Sequence, residues 1–109
     1  MYRKYHNRKI ECDGMVFDSQ KEFNRWCELK LLERAGKIQG LKRQVCFEVI
    51  PKCIKDDGKA ERAVRYIADF CYQENGRFIV EDTKGVKTPE YIIKRKLMLY
   101  RYNITIKEI

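Results

Sequence analysis

Residues 65–84 read RYIADFCYQENGRFIVEDTK, and the reading of this stretch decides the fold. Two runs rich in Tyr, Ile, Phe and Val flank Asn75-Gly76. That dipeptide suits a two-residue type I′ hairpin turn, because Asn and Gly accept positive φ at low cost. With those two residues as the loop, Glu74 faces Arg77. Stepping back along both strands sets Asp69 opposite Asp82 and Ile67 opposite Lys84. Directly opposed side chains share a face with Cβ atoms roughly 4.5–5.5 Å apart, where like charges repel. Alternation puts Lys84 on the same face as Asp82. Ala68, Phe70, Ile79 and Val80 make the surroundings apolar. Two carboxylates held there need a cation, and a hard divalent ion such as Mg²⁺ takes carboxylate oxygens. The plainer reading has Lys84 pairing with Asp82 at the mouth of the hairpin, with no ion involved.

The rest of the composition narrows the class. A chain of 109 residues supports a single core. Its 44% hydrophobic and 37% charged residues are those of a soluble globular protein. No apolar run reaches the length of a membrane span, and MYRKYHNRKIE lacks the apolar centre of a signal peptide. A net charge of +8 favours a polyanionic partner, most simply nucleic acid. Cys12, Cys27, Cys46, Cys53 and Cys71 form no C-x-x-C pair, and His6 is the lone histidine. That spacing argues against structural zinc and for free thiols in a reducing cytoplasm, with Cys27, Cys46 and Cys71 as core filler.

Along the chain, residues 1–9 interleave Arg3, Lys4, Arg8 and Lys9 with Tyr2, Tyr5 and His6. Cations with rings suit phosphate contact and base stacking, although a solvated terminus has the same composition. Residues 10–17 around Asp13-Gly14 read as a small hairpin. Ser19 opens a helix to about Ala35, closed by Gly36, with Phe23, Trp26, Cys27, Leu29 and Leu31 as its apolar face. Glu22 projects between Trp26 and Leu29, and Glu33 lies on nearly the same line. Ser19-x-x-Glu22 is also a capping box, so Glu22 either closes the helix start or joins the aspartates as a third acid. Residues 45–50 form a strand stopped by Pro51, and residues 52–62, with Asp56 and Asp57, read as an exposed loop. Thr88-Pro89 starts a second helix to about Tyr102. Ile92, Ile93, Leu97 and Tyr100 are expected on its buried side, with Tyr91, Lys94, Arg95, Met98 and Arg101 on the other. A last strand covers 104–107.

Leaving aside the first hairpin, the order is helix, strand, strand, strand, helix, strand. With an acid in the first helix, Asp69 on the second strand and Asp82-Thr83-Lys84 on the third, this resembles the PD-(D/E)XK nuclease superfamily; Ala68 stands where the motif has Pro. The resemblance implies a restriction-endonuclease-like α/β (α+β) core at 19–109, a mixed sheet flanked by helices, preceded by a basic segment and hairpin at 1–17. Five further stretches extend the likeness: Tyr5-x-Asn7-Arg8-Lys9, Asp13-Gly14 before Phe17-Asp18-Ser19, Leu32-Glu33-Arg34-Ala35-Gly36-Lys37-Ile38, Tyr66-Ile67-Ala68-Asp69-Phe70 and Tyr91-x-x-Lys94-x-Lys96. Together they look like a family of small phage and prophage proteins catalogued as a domain of unknown function, similar to phage Holliday-junction resolvases.

The resemblance implies a Mg²⁺-dependent DNA endonuclease, with Mn²⁺ as a substitute, working in the cytoplasm of a bacterial host. Asp69 and Asp82 would hold the metal with the Thr83 carbonyl as a further ligand. Glu22 would complete the site, and Lys84 would act beside the attacking water. Arg3, Lys4, Arg8, Lys9, Lys87, Lys94, Arg95 and Arg101 are the expected contacts to branched or duplex DNA. Resolving a junction needs two active sites and therefore a homodimer. The rivals are a restriction-like or general recombination nuclease, and a non-catalytic DNA-binding module that keeps the fold.

Overall fold

In the computed structural model, which describes residues 9–109, Asp13 and Gly14 turn the chain with φ of 51° and 78° between β1 (Ile10–Cys12) and β2 (Met15–Phe17). The Ser19 side chain accepts the Glu22 N–H at 3.1 Å and starts α1 (Gln20–Arg34). At the other end, Gly36 takes φ 75° while Lys37 N–H donates to the Leu32 carbonyl, closing the last turn. Then come β3 (Gln39–Ile50), β4 (Cys53–Ile54), β5 (Ala60–Glu61), β6 (Val64–Glu74), β7 (Arg77–Asp82), α2 (Pro89–Tyr102) and β8 (Lys107–Glu108). Thr88 caps α2, and Asn103, left-handed at φ 57°, ends it.

The fold is α+β, with a four-stranded mixed sheet in the order β3-β6-β7-β8. β3, β6 and β7 are antiparallel neighbours, whereas β8 runs parallel to β7 after the crossover through α2. Asn75 and Gly76 carry φ of 51° and 75°, and the β6–β7 register pairs Glu74 with Arg77 and Phe70 with Glu81, as the turn dipeptide demands.

The helices cover the sheet with two separate apolar clusters. Val49, Tyr66, Ala68, Cys71 and Val80 pack with Tyr91 and Met98 of α2 and with Ile106. Phe70 and Tyr72 pack with Leu29 of α1 and with Ile38. Simple alternation along β6 therefore fails at Asp69: Tyr66 and Ala68 join the α2 cluster, but Phe70 and Tyr72 join the α1 cluster. Beside it on β3, Gln44 lies between the pairings Arg43↔Phe70 and Val45↔Ala68 and has φ 56°. A left-handed residue inside a strand re-aims the side chains that follow it, as a bulge does. The changeover leaves Asp69 where the two layers part.

Several expectations are corrected. Residues 52–62 are exposed, but they contain the two-stranded ribbon β4–β5, because Asp57-Gly58 makes a tight turn with Gly58 at φ 86°. β3 begins at Gln39, not Val45, with a register shift between Gln39 and Lys42 that lengthens the strand past Gly40. The final strand is Lys107–Glu108, since Ile106 turns into the core and the parallel pairing with β7 starts only after it. In α2 the buried stripe is Tyr91 and Met98, while Ile93 and Tyr100 are exposed. Tyr91 and Arg95 can face inward because Glu108 satisfies both their polar ends. Cys71 is buried, but Cys27 and Cys46 are exposed, on surfaces that neither cluster reaches. Leu31 also lies outward, 62% exposed.

Candidate functional site

One step beyond the Phe70↔Glu81 pairing, at the end of the β6–β7 ladder, Asp69 and Asp82 come together. β8 holds Asp82 from the far side: Asp82 pairs with Glu108, and the Ile109 N–H donates to the Asp82 carbonyl at 3.0 Å. The Asp82 side chain is 1% exposed. Its Oδ2 accepts the Tyr66 hydroxyl at 2.5 Å and lies 3.8 Å from Lys84 Nζ. Asp69 Oδ2 accepts both the Thr83 N–H at 2.8 Å and the Thr83 hydroxyl at 2.7 Å. Thr83 thus orients Asp69 through its N–H and hydroxyl.

The charges here are under stress. Burial pushes the Asp82 carboxyl up to about 7, the Tyr66 hydrogen bond opposes this, and Asp69 adds to it through a hydrogen bond and its charge. Burial also raises Glu22, against the Asp18 backbone bond and with the charge of Asp69 helping. The Tyr66 hydroxyl is raised well beyond the ordinary tyrosine range, chiefly by burial and then by Asp82.

Glu22 reaches this place from the start of α1. It is 2% exposed, and its Oε1 accepts the Asp18 N–H at 3.2 Å. Glu22 closes the helix start onto the Asp18 N–H, one residue before the Ser19 backbone that a capping box uses, and it also lines the same cleft as the aspartates. Glu33, at the other end of the helix, accepts from Lys30 and the Leu41 N–H. The cleft encloses about 520 Å³ between Asp18, Ser19 and Glu22 on one side, Asp69 and Asp82–Lys84 on another, and Gly85, Val86 and Thr88 opposite.

These donors suit a hard divalent cation. All are oxygens, and two of the three carboxyls are raised partly by the third. Among the described residues no group of three or more His, Cys, Asp or Glu is gathered closely enough to hold a metal. The aspartate pair would therefore carry the ion with water filling the shell, the mode of Mg²⁺, which keeps several waters on one or two carboxylates. Lys84 is the cation already beside them, its ammonium 5.1 Å from the centre of the Tyr91 ring.

Residues 2–108 match a family described as "Protein of unknown function (DUF1064)". The chain belongs to the DUF1064 family. No curated protein and no solved structure matches it. The match spans the hairpin β1–β2, both helices and every strand around the cleft, so the site lies wholly within the DUF1064 unit.

The other expected DNA contacts are spread around this DUF1064 fold. Arg3, Lys4 and Arg8 lie outside the described residues. Lys9 pairs with Asp18 at 3.9 Å, Lys87 and Arg95 with Glu108 at 3.3 and 3.0 Å, and Lys94 with Glu90 at 3.0 Å. Arg101 lies over the Tyr102 ring. No helix of the described residues is long and apolar enough to cross a membrane.

Sequence reasoning missed two partners. Tyr66 is on the wrong face of β6 by simple alternation, and only the changeover at Asp69 brings its hydroxyl to Asp82. Glu81, next to Asp82, is fully buried and points to α1, where Arg25 clasps it through Nε at 2.8 Å and Nη2 at 2.6 Å while the Tyr72 hydroxyl also donates to it. Adjacent acids on one strand thus have opposite destinations, one a tether to α1 and the other the cleft.

Proposed function

We propose that this chain is a metal-dependent DNA endonuclease that hydrolyses phosphodiesters, and specifically a phage nuclease acting on branched DNA such as a Holliday junction. The observation that carries the reading is the meeting of Asp69 and Asp82 in a cleft shared with Glu22 and Lys84. Two buried carboxyls, Asp82 and Glu22, are raised by burial and by the neighbouring Asp69, an arrangement a divalent cation relieves.

In the proposed reaction a water oxygen gives up a proton to solvent and forms a new bond to phosphorus as the ester P–O bond opposite it breaks, and the departing oxygen takes up a proton from solvent. Asp69 and Asp82 would hold the ion, with the Thr83 carbonyl and Glu22 nearby. Bound there, Mg²⁺ supplies a Lewis acid for the phosphate oxygens and lowers the pKa of water. Lys84 orients the attacking water and offsets the negative charge that grows on the phosphate. Tyr66 keeps the Asp82 carboxylate turned into the cleft. Paired cuts across a junction require two such sites, which a homodimer provides.

One panel tests the reading. Purified protein with Mg²⁺ or Mn²⁺ is expected to cut a four-way junction in preference to flap, duplex or single-stranded DNA. Asp69→Ala, Asp82→Ala and Lys84→Ala should each abolish cutting while DNA binding persists. Cleavage by Asp82→Ala protein, or none by the parent chain on any substrate, overturns it. The lack of a three-donor group among the described residues favours, as a second reading, a binding module that does not cut. Calorimetric titration separates the two, because a silent site takes up neither Mg²⁺ nor Mn²⁺.

A further inference from the structure

A second cleft of about 330 Å³ opens beside the carboxylate cleft, and Lys84 and Thr88 line both. Three cations from three elements converge on it: Arg65 near the start of β6, Lys84 after β7, and Lys94 on α2. Arg65 is exposed and makes no ion pair among the described residues, and Lys94 is tied only to Glu90, whose side chain is 77% exposed. The Tyr91 ring forms one wall, with the Lys84 ammonium over it.

We infer that this cleft holds a backbone phosphate of a nucleic-acid strand, the neighbour along that strand of the phosphate bound at Asp69 and Asp82. The chemistry fits a phosphodiester better than a carboxylate ligand for two reasons. Arg65 presents a planar fork that matches phosphate oxygens, with two flexible ammonium groups to complete the contact. The cleft is also continuous through Lys84 with a place where a phosphodiester is the proposed substrate, so a single strand can occupy both. Glu90 is the built-in competitor: its carboxylate occupies Lys94 at 3.0 Å when no phosphate is present. The inference rests on the nucleic-acid reading above, but not on cleavage.

The test is fluorescence anisotropy of a short labelled duplex and a labelled four-way junction, over a range of NaCl, with Ca²⁺ in place of Mg²⁺. Arg65→Ala combined with Lys94→Ala is expected to weaken binding about tenfold and to make the slope of log K against log salt shallower by about 0.9, one phosphate contact. Glu90→Gln should bind severalfold tighter, a gain that damaged folding does not produce. Lys37→Ala combined with Arg77→Ala removes equal charge near the far end of the hairpin and should leave the slope unchanged. In Mg²⁺, the Arg65/Lys94 variant should raise KM with kcat nearly kept. A parental slope in the Arg65/Lys94 variant, or an equal loss in the control pair, overturns the subsite even if the parent cuts DNA. A shallower slope in the Arg65/Lys94 variant of a parent that binds but never cuts upholds the subsite and sinks the nuclease reading. A parent that binds no DNA overturns both.

Discussion

The Tyr66 hydroxyl donates to Asp82 Oδ2 at 2.5 Å, from a residue that strand alternation alone would put on the opposite face of the sheet from Asp69. This bond works against burial and against Asp69, which together hold the Asp82 carboxyl up to about 7. The strand order, the caps and the aspartate pair are the frame, and Tyr66 orients the buried member of that pair.

Asp82 should give the metal-free protein an unusual pH dependence. Its ordinary value is 3.8 and its folded value about 7, so the folded chain keeps a proton that the unfolded chain has released. Stability in chelator should therefore fall as pH rises from about 4 to about 7 and stay low above that. Asp82→Asn is expected to remove the fall and to melt higher than the parent at pH 8. Tyr66→Phe deletes the opposing hydrogen bond and should move the midpoint of the fall to higher pH. Thermal melts across pH check both, and a fall that survives in Asp82→Asn assigns it to another group.

Glu108 should act in the opposite sense. The Tyr91 hydroxyl, Arg95 and Lys87 hold its carboxyl down from 4.5 to about 2, the Tyr91 bond being the largest cause. Its contribution is present above pH 4.5 and is lost as pH falls toward 2. Glu108→Gln is expected to cost about 1–2 kcal/mol at pH 7 and nothing measurable near pH 2, read by urea denaturation at the two pH values.

Arg25 and Glu81 form a buried ion pair between α1 and β7, with the Glu81 side chain wholly inaccessible and that of Arg25 15% exposed. Removing one partner strands the other charge, so Arg25→Ala or Glu81→Ala should each cost about 3–5 kcal/mol. Replacing both together, as Arg25→Met with Glu81→Leu, should recover most of that loss. A double variant as unstable as either single one would show that the pair does more than neutralise itself.

Glu22 and Ser19 separate capping from chemistry. Glu22→Gln keeps an oxygen for the Asp18 N–H and should change stability little, while lowering cleavage about 10–100-fold. Ser19→Ala removes the acceptor of the Glu22 N–H and should cost about 1 kcal/mol with turnover nearly kept. Parental cleavage rates in Glu22→Gln would leave this residue as a helix cap alone.

Much of this was legible in the chain because it depends on neighbours in sequence. Asn75-Gly76 dictates the β6–β7 register, and with it the approach of Asp69 and Asp82, because two consecutive residues must take positive φ. Ser19, Gly36 and Thr88-Pro89 mark helix ends for equally local reasons. The choice among α1 acids was not local: Glu22 and Glu33 share a line on the helix, and only the packing of the helix start against the hairpin mouth selects Glu22.

What the sequence by itself determined was the two helices, the main strands and their order, and one strand register, since short-range backbone preferences control those. Tertiary structure decided which face each side chain took. A left-handed Gln44 beside Asp69 marks where the alternation of β3 and β6 shifts, which brings Tyr66 to Asp82, while unbroken alternation along β7 leaves Glu81 for Arg25. It also rotated α2 so that Tyr91 and Met98 are inside, because Glu108, from a strand that follows the helix, meets the polar ends of Tyr91 and Arg95. Hydrophobic pattern measures how strongly a residue avoids water, but a buried polar group is settled by its partner, and partners distant in the chain are brought together only by the fold.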